Sequence, residues 1–270
     1  MTASAPRHIL LISGGKDSTA LAIYMRDRHP EIEMEYVFAD THKELPETYE
    51  FLTRLEAYLD RPITRLANDL GDRGFDHYLT LYRDYLPAPN MRWCTRMLKI
   101  EPFDRYIGDD EARMYIAIRA DEHREGYIST RPNIVPVYPF REEGINKDDV
   151  FRILEESGVG LPDYYAWRSR SGCYFCFFQR KSEWVGLLEQ HPDLYEKAIA
   201  YEKPDAGYTW QQGESLDELR QPERIIQIRQ REVERKAQAA ARRRPRTLAE
   251  AFGAVELEPE DEQGCLICHL

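Results

Sequence analysis

Apolar and polar residues follow two different periods along the first half of the chain. Apolar runs at 8–12, 34–39, 63–66 and 115–118 read as buried strands. Between them, segments at 18–28, 45–59, 75–82 and 95–106 carry apolar residues three and four apart, the spacing of a helix with one buried face. In the first of these, Ala20, Leu21, Tyr24 and Met25 fall on one side. Strands alternating with helices predict a mostly parallel sheet covered on both faces, an α/β fold. Ligands in such sheets belong at the carboxyl ends of the strands. Further on, Asn146 caps a predicted helix running to about 156, with Gly158 just beyond its end. The next segment carries two cysteines and then two short helices, to about 202. Beyond Pro204 the sequence turns polar and charged, with a long helical stretch from about 223 to 243. The pattern divides the chain into an α/β domain over 1–165, a cysteine-bearing segment with short helices over 166–204, and a charged helical extension ending in an acidic tail over 205–270.

With 270 residues, 42% of them hydrophobic, the chain can bury a full core without staples. Its 37 basic and 48 acidic residues give a net charge of −11, which argues against a surface that coats nucleic acid as a whole. A local basic patch is still allowed. The stretch 229–244 holds Arg229, Arg231, Arg235, Lys236, Arg242, Arg243 and Arg244, which reads either as a solvated face or packing arm, or as a contact for nucleic acid or a protein partner. No apolar run reaches the length of a membrane span, and the start, MTASAPRH, has no apolar signal region, so a cytoplasmic protein without membrane contact is expected.

Candidate chemistry enters at the hinge between the first strand and the first helix, Ser13-Gly14-Gly15-Lys16-Asp17-Ser18. Such a hinge leaves unpaired backbone N–H groups at a helix N-terminus, where the helix dipole favours an anion. The glycines let a phosphate approach the backbone, and Lys16 with the hydroxyls of Ser13 and Ser18 adds donors to the same concavity. The Walker A spacing is not present. The stretch SGGKDS instead resembles the PP-loop of the adenine nucleotide α-hydrolases, which grips the pyrophosphate end of ATP.

Three further stretches resemble one branch of that superfamily, the phosphoadenosine-phosphosulfate (PAPS) reductase-like proteins. They are Phe38-Ala39-Asp40-Thr41-His42 with the following Glu44-Leu45-Pro46-Glu47-Thr48-Tyr49, Arg92-Trp93-Cys94-Thr95-Arg96 with Lys99 and Pro102, and Ile118-Arg119-Ala120-Asp121-Glu122. The resemblance runs in order from about 8 to 176 and implies a Rossmann-like adenine nucleotide α-hydrolase fold. It implies an adenine nucleotide on Ser13, Gly14, Gly15, Lys16, Asp17 and Ser18, with Asp17 on Mg²⁺ or capping the helix. Asp40 and Thr41 either meet ribose, adenine or a metal-bound water, or cap the second helix. Arg92, Arg96, Lys99 and Arg119 suit phosphate or sulfate, since guanidinium groups make paired hydrogen bonds to oxyanions. Sulfonucleotide reductases usually carry a degenerate loop; here it is intact, which favours ATP and cleavage between its α- and β-phosphates in support of sulfur transfer. Release of sulfite from a sulfonucleotide is the alternative. A third reading is a nucleotide-responsive accessory subunit of a defence or mobile-element system.

The five cysteines include two C-x-x-C pairs, a pattern that in a reducing compartment suits metal or sulfur chemistry better than disulfides. Cys94, Cys173 and Cys176 match the order of [4Fe–4S] ligands in adenosine-phosphosulfate reductases, with Trp93 in place of a fourth. Three ligands would leave one iron open for a sulfide. Alternatively Cys173, Cys176, Cys265 and Cys268 form a closed zinc site. Cys265 and Cys268 also only partly resemble the mobile catalytic tail of the reductases. A sulfur-donor protein is the partner that sulfur transfer implies.

Overall fold

The computed structural model describes residues 5–68, 74–123 and 131–242. They fall into two compact units, one formed by the residues up to Phe177 and the other beginning at Phe178. The first unit is built as β1 (Arg7–Ile12), α1 (Lys16–Arg28), β2 (Met34–Ala39), α2 (Pro46–Leu59), β3 (Ile63–Leu66), α3 (Phe75–Leu81), α4 (Trp93–Thr95), a π-helical turn (Arg96–Ile100), α5 (Glu101–Ile107), β4 (Ala112–Tyr115), β5 (Ile134–Val137), α6 (Pro139–Glu142) and α7 (Lys147–Glu156). A 3₁₀ turn at Asp163–Ala166 follows.

All five strands are parallel, in the order β3-β2-β1-β4-β5. The α/β expectation therefore holds. Side chains alternate across the sheet as the two-residue strand period requires. Leu10 and Ile12 of β1 join Tyr36 and Phe38 of β2, packing against α1, α2 and α7 on one face. Ile9 and Val37 point to the other face, where Phe103 and Ile107 of α5 cover them. The chain runs outward from β1 to β3 and then returns to place β4 on the other side of β1. The sheet thus changes direction between β1 and β4, the place where open α/β sheets leave a crevice for ligands.

Three sequence expectations need correction. The fourth strand ends at Tyr115 rather than spanning 115–118; the Ile116 amide still reaches the Val137 carbonyl, and Ile116, Ala117 and Ile118 are buried beyond the strand. The edge strand β5 is an addition to the expected set, because Pro136 within it reads as a strand breaker, which an edge position tolerates. The helix expected over 95–106 starts at Trp93 and passes through the π turn immediately before Pro102, which has no N–H to continue the regular ladder. The capped helix after Asn146 is as expected: Asn146 accepts from the Asp148 and Asp149 amides, and Asp149 accepts from the Asn146 amide in return.

The second unit holds α8 (Lys181–Gln190), α9 (Pro192–Ile199), α10 (Leu216–Leu219) and α11 (Pro222–Arg242). Its core is aromatic. Trp184 and Tyr195 are fully buried and meet edge to face at 6.2 Å, and the Trp210 indole N–H donates to the Ala198 carbonyl. No described helix is long and apolar enough to cross a membrane.

Candidate functional site

The turn from β1 into α1 is shaped by its small residues. Gly14 has φ +72°, and a Cβ there would lie 2.7 Å from Cγ2 of Thr48 on α2. A Cβ on Gly15 would lie 2.9 Å from the Ser171 hydroxyl. Packing therefore requires both glycines, and conformation requires the first as well. The two serines close the loop on itself. The Ser13 amide donates to Ser18 Oγ at 3.0 Å, the two hydroxyls lie 3.0 Å apart, and the Gly15 amide donates to Ser13 Oγ at 3.3 Å. Gly15 is the N-cap of the thirteen-residue α1 and makes no side-chain cap, and the first helical amide, that of Lys16, is met by a hydroxyl from a distant turn.

Charge is concentrated beside these amides. Lys16 Nζ and Asp17 Oδ2 are 2.5 Å apart, and Arg119, from the loop after β4, reaches Asp17 Oδ1 at 2.9 Å. Arg119 also pairs with Asp121 and Glu122, each at 2.9 Å. Burial pushes the Asp17 carboxyl up, but Lys16 and Arg119 outweigh it and hold the group below the usual carboxylate range. The two loops flanking the sheet's change of direction thus bring Lys16, Asp17 and Arg119 together. Asp17 caps no helix; both of its oxygens are engaged by cations.

A pocket opens at the carboxyl ends of β1 and β2, with Leu11, Phe38, Leu66 and Phe103 as apolar walls. Ser13, Glu44 and Lys99 supply polar groups to its lining. Glu44 is buried; its Oε1 accepts from the Thr41 hydroxyl at 3.0 Å, while Oε2 has no hydrogen-bond partner among the described residues. Burial pushes the Glu44 carboxyl up, and the Lys99 ammonium acts in the opposite direction. Asp40, also buried, accepts from the His42 amide and the Tyr49 hydroxyl, both at 2.8 Å. Neither Asp40 nor Thr41 caps α2, whose cap position is Leu45. His42 sits at φ +56°, in the left-handed region, where histidine is among the more frequent non-glycine residues.

Apart from its cysteine pair, the segment that closes the site carries no signal in the sequence. Tyr164 and Tyr165, in the 3₁₀ turn, clamp the phosphate-type loop: the Tyr164 hydroxyl donates to the Gly14 carbonyl at 2.7 Å, and the Lys16 amide donates to the Tyr165 hydroxyl at 3.1 Å. Ser171 Oγ reaches Ser13 Oγ at 3.4 Å. Arg168 is buried and donates to the carbonyls of Gly172 and Cys173, both at 2.9 Å, which fixes the turn carrying the cysteine pair. The Tyr174 amide then bonds the Lys43 carbonyl. Paired tyrosines in a stretch without periodicity look like any loop, and Glu44 reads as one more polar residue.

Cys173 Sγ lies 3.2 Å from the Thr41 hydroxyl and 3.7 Å from Glu44 Oε1, and burial pushes its thiol up. Trp93 and Phe175, which neighbour Cys94 and Cys176, both pack on Phe75, at centroid distances of 5.1 and 4.4 Å. The helix bearing Cys94 and the turn bearing the pair thus share one aromatic ring. Among the described residues no group of three or more His, Cys, Asp or Glu is placed to hold a metal ion. Cys265 and Cys268, like Arg243 and Arg244, lie outside the described residues. Of the other basic candidates, Lys99 lines the pocket, Arg92 is half-buried at the start of α4, and Arg96 is exposed, 4.0 Å from Glu101.

The phosphoadenosine phosphosulfate reductase domain family matches residues 7–140. Two uncharacterized proteins of Methanocaldococcus jannaschii are 25% and 26% identical to the chain, over 69% and 70% of its length. The chain spans less than half of each, 45% and 40%. An uncharacterized nin region protein of Escherichia phage lambda is 25% identical over 67% of this chain and 68% of its own. The crystal structure of a PAPS reductase from Candida auris, a phosphate complex, aligns with a TM-score of 0.50 at 14% identity, covering 63% of this chain and 82% of that one. At that identity the likeness concerns the fold alone.

Proposed function

Because the chain belongs, through residues 7–140, to the PAPS reductase-like family of PP-loop proteins, we propose that it binds ATP and cleaves it between the α- and β-phosphates in support of sulfur transfer. The observation that carries this reading is the intact loop Ser13–Ser18. Its glycines leave no room for a side chain, it opens a thirteen-residue helix that has no side-chain cap, and Lys16 and Arg119 stand beside it. That is equipment for holding a pyrophosphate, which an already activated sulfonucleotide does not carry. The apolar pocket beside the loop suits a purine ring.

In the proposed step an acceptor oxygen attacks the α-phosphorus, the bond to the bridging oxygen breaks, and pyrophosphate departs with its electron pair. Loop amides, Lys16 and Arg119 stabilise the charge that accumulates on the leaving group. Asp17, engaged by Lys16 and Arg119, is the carboxylate that would hold a magnesium ion accompanying the nucleotide, which would supply further positive charge for the departing pyrophosphate. A sulfur nucleophile can then displace AMP from the adenylated acceptor, and Cys173, between Thr41 and Glu44, lies at the edge of the same site. The test is pyrophosphate release from ATP and magnesium, with Lys16→Ala as the control. The variant is expected to lose about 2 to 4 kcal/mol of transition-state stabilisation. Turnover that is indifferent to Lys16 would remove the loop from the reaction.

A further inference from the structure

The second unit carries a cleft that the ATP reading does not use. It lies between the N-terminal end of α8 and one face of α11, and it is lined by Arg180, Lys181, Arg224, Arg231 and Arg235 with the carboxylate Glu232. Ile228, 4% exposed, forms part of the lining, and Ser182 adds a hydroxyl at the start of α8. Two of the cations, Lys181 and Arg224, share Glu214 as a counter-ion, and Arg235 pairs with Glu232 at 2.9 Å. The lining carries five cations and one carboxylate, on a chain whose net charge is −11. Arg224, Ile228, Arg231 and Arg235 recur at intervals of four, three and four residues, so they share one helix face.

We infer that this cleft binds the phosphate backbone of a nucleic acid. The cations are strung out rather than gathered on a point: Arg224 to Arg235 spans about 16 Å at ~1.5 Å per residue, the axial length of about five phosphates along one strand. Among the described residues no Phe, Tyr or Trp lines the cleft, so bases have no stacking platform and recognition follows the backbone rather than the sequence. Acidity elsewhere on the molecule confines a polyanion to this place.

The test is fluorescence anisotropy of the full chain with labelled oligo-dT and oligo-rU of about 15 nucleotides, between roughly 50 and 200 mM salt. Expected is saturable binding of both strands, with a log–log salt slope near −0.7 per phosphate contact, or roughly fiftyfold weaker binding across that range for four contacts. Arg231→Glu should weaken binding by roughly tenfold or more and flatten the slope, with thermal unfolding unchanged, while Arg231→Lys should retain it. Absence of binding at low salt overturns the inference. So does affinity unchanged in Arg231→Glu, or polyglutamate that displaces the strand at equal charge.

Discussion

Gly14 shows how a single position ties sequence to chemistry. Its positive φ and the 2.7 Å approach of Thr48 to any added Cβ are separate obstacles to a side chain. The first costs about 1 to 2 kcal/mol, and the overpacking costs about 1 to 3 kcal/mol more. Gly160 is the natural comparison, since it has φ +70° and open space where a Cβ would go. Gly14→Ala is therefore expected to lose roughly 2 to 5 kcal/mol in urea unfolding, and Gly160→Ala roughly 1 to 2 kcal/mol. Equal losses at both positions would mean that backbone conformation alone accounts for the glycine. At this scale the sequence is partly legible. Gly-Gly-Lys announces a phosphate-type turn, but the reason Gly14 has no room lies in Thr48, whose side chain meets it only when α2 packs on α1. Glu44 is illegible for a similar cause: what distinguishes it is a buried, unpartnered oxygen, a property of the fold and not of the residue.

Among elements, the segment from Asp163 to Cys176 does the most that sequence periodicity cannot announce. It has one short 3₁₀ turn and no amphipathic pattern, yet it bonds the loop after β1 through Tyr164, Tyr165 and Ser171, and the loop after β2 through Tyr174 and Cys173. The regular elements are legible because helix and strand periods are local, whereas this segment is held by hydrogen bonds to residues about 130 to 158 positions away. Tyr164→Phe strands the buried Gly14 carbonyl and is expected to cost about 1 to 3 kcal/mol in denaturant unfolding. Tyr165→Phe releases the Lys16 amide at the crevice edge, where water or a ligand oxygen can replace the hydroxyl, so its cost should stay under about 1 kcal/mol with ATP affinity retained. A larger penalty at Tyr165 than at Tyr164 would reverse this account of the clamp.

For the molecule as a whole, the order of five parallel strands places the loops after β1 and β4 on either side of the sheet's change of direction, so that Lys16, Asp17 and Arg119 converge although about a hundred residues separate them. The βαβ alternation makes that convergence legible, since right-handed crossovers leave few ways to arrange the strands. The fold does not choose between an ATP and a sulfonucleotide, because one scaffold supports both chemistries. Calorimetric titration of the full chain makes that choice, with ATP and magnesium in one experiment and PAPS or adenosine phosphosulfate in the other. The intact loop predicts saturable ATP binding that Lys16→Ala weakens by about 2 to 4 kcal/mol, and weaker binding of either sulfonucleotide. No heat with ATP, together with tight binding of a sulfonucleotide, would contradict the proposal.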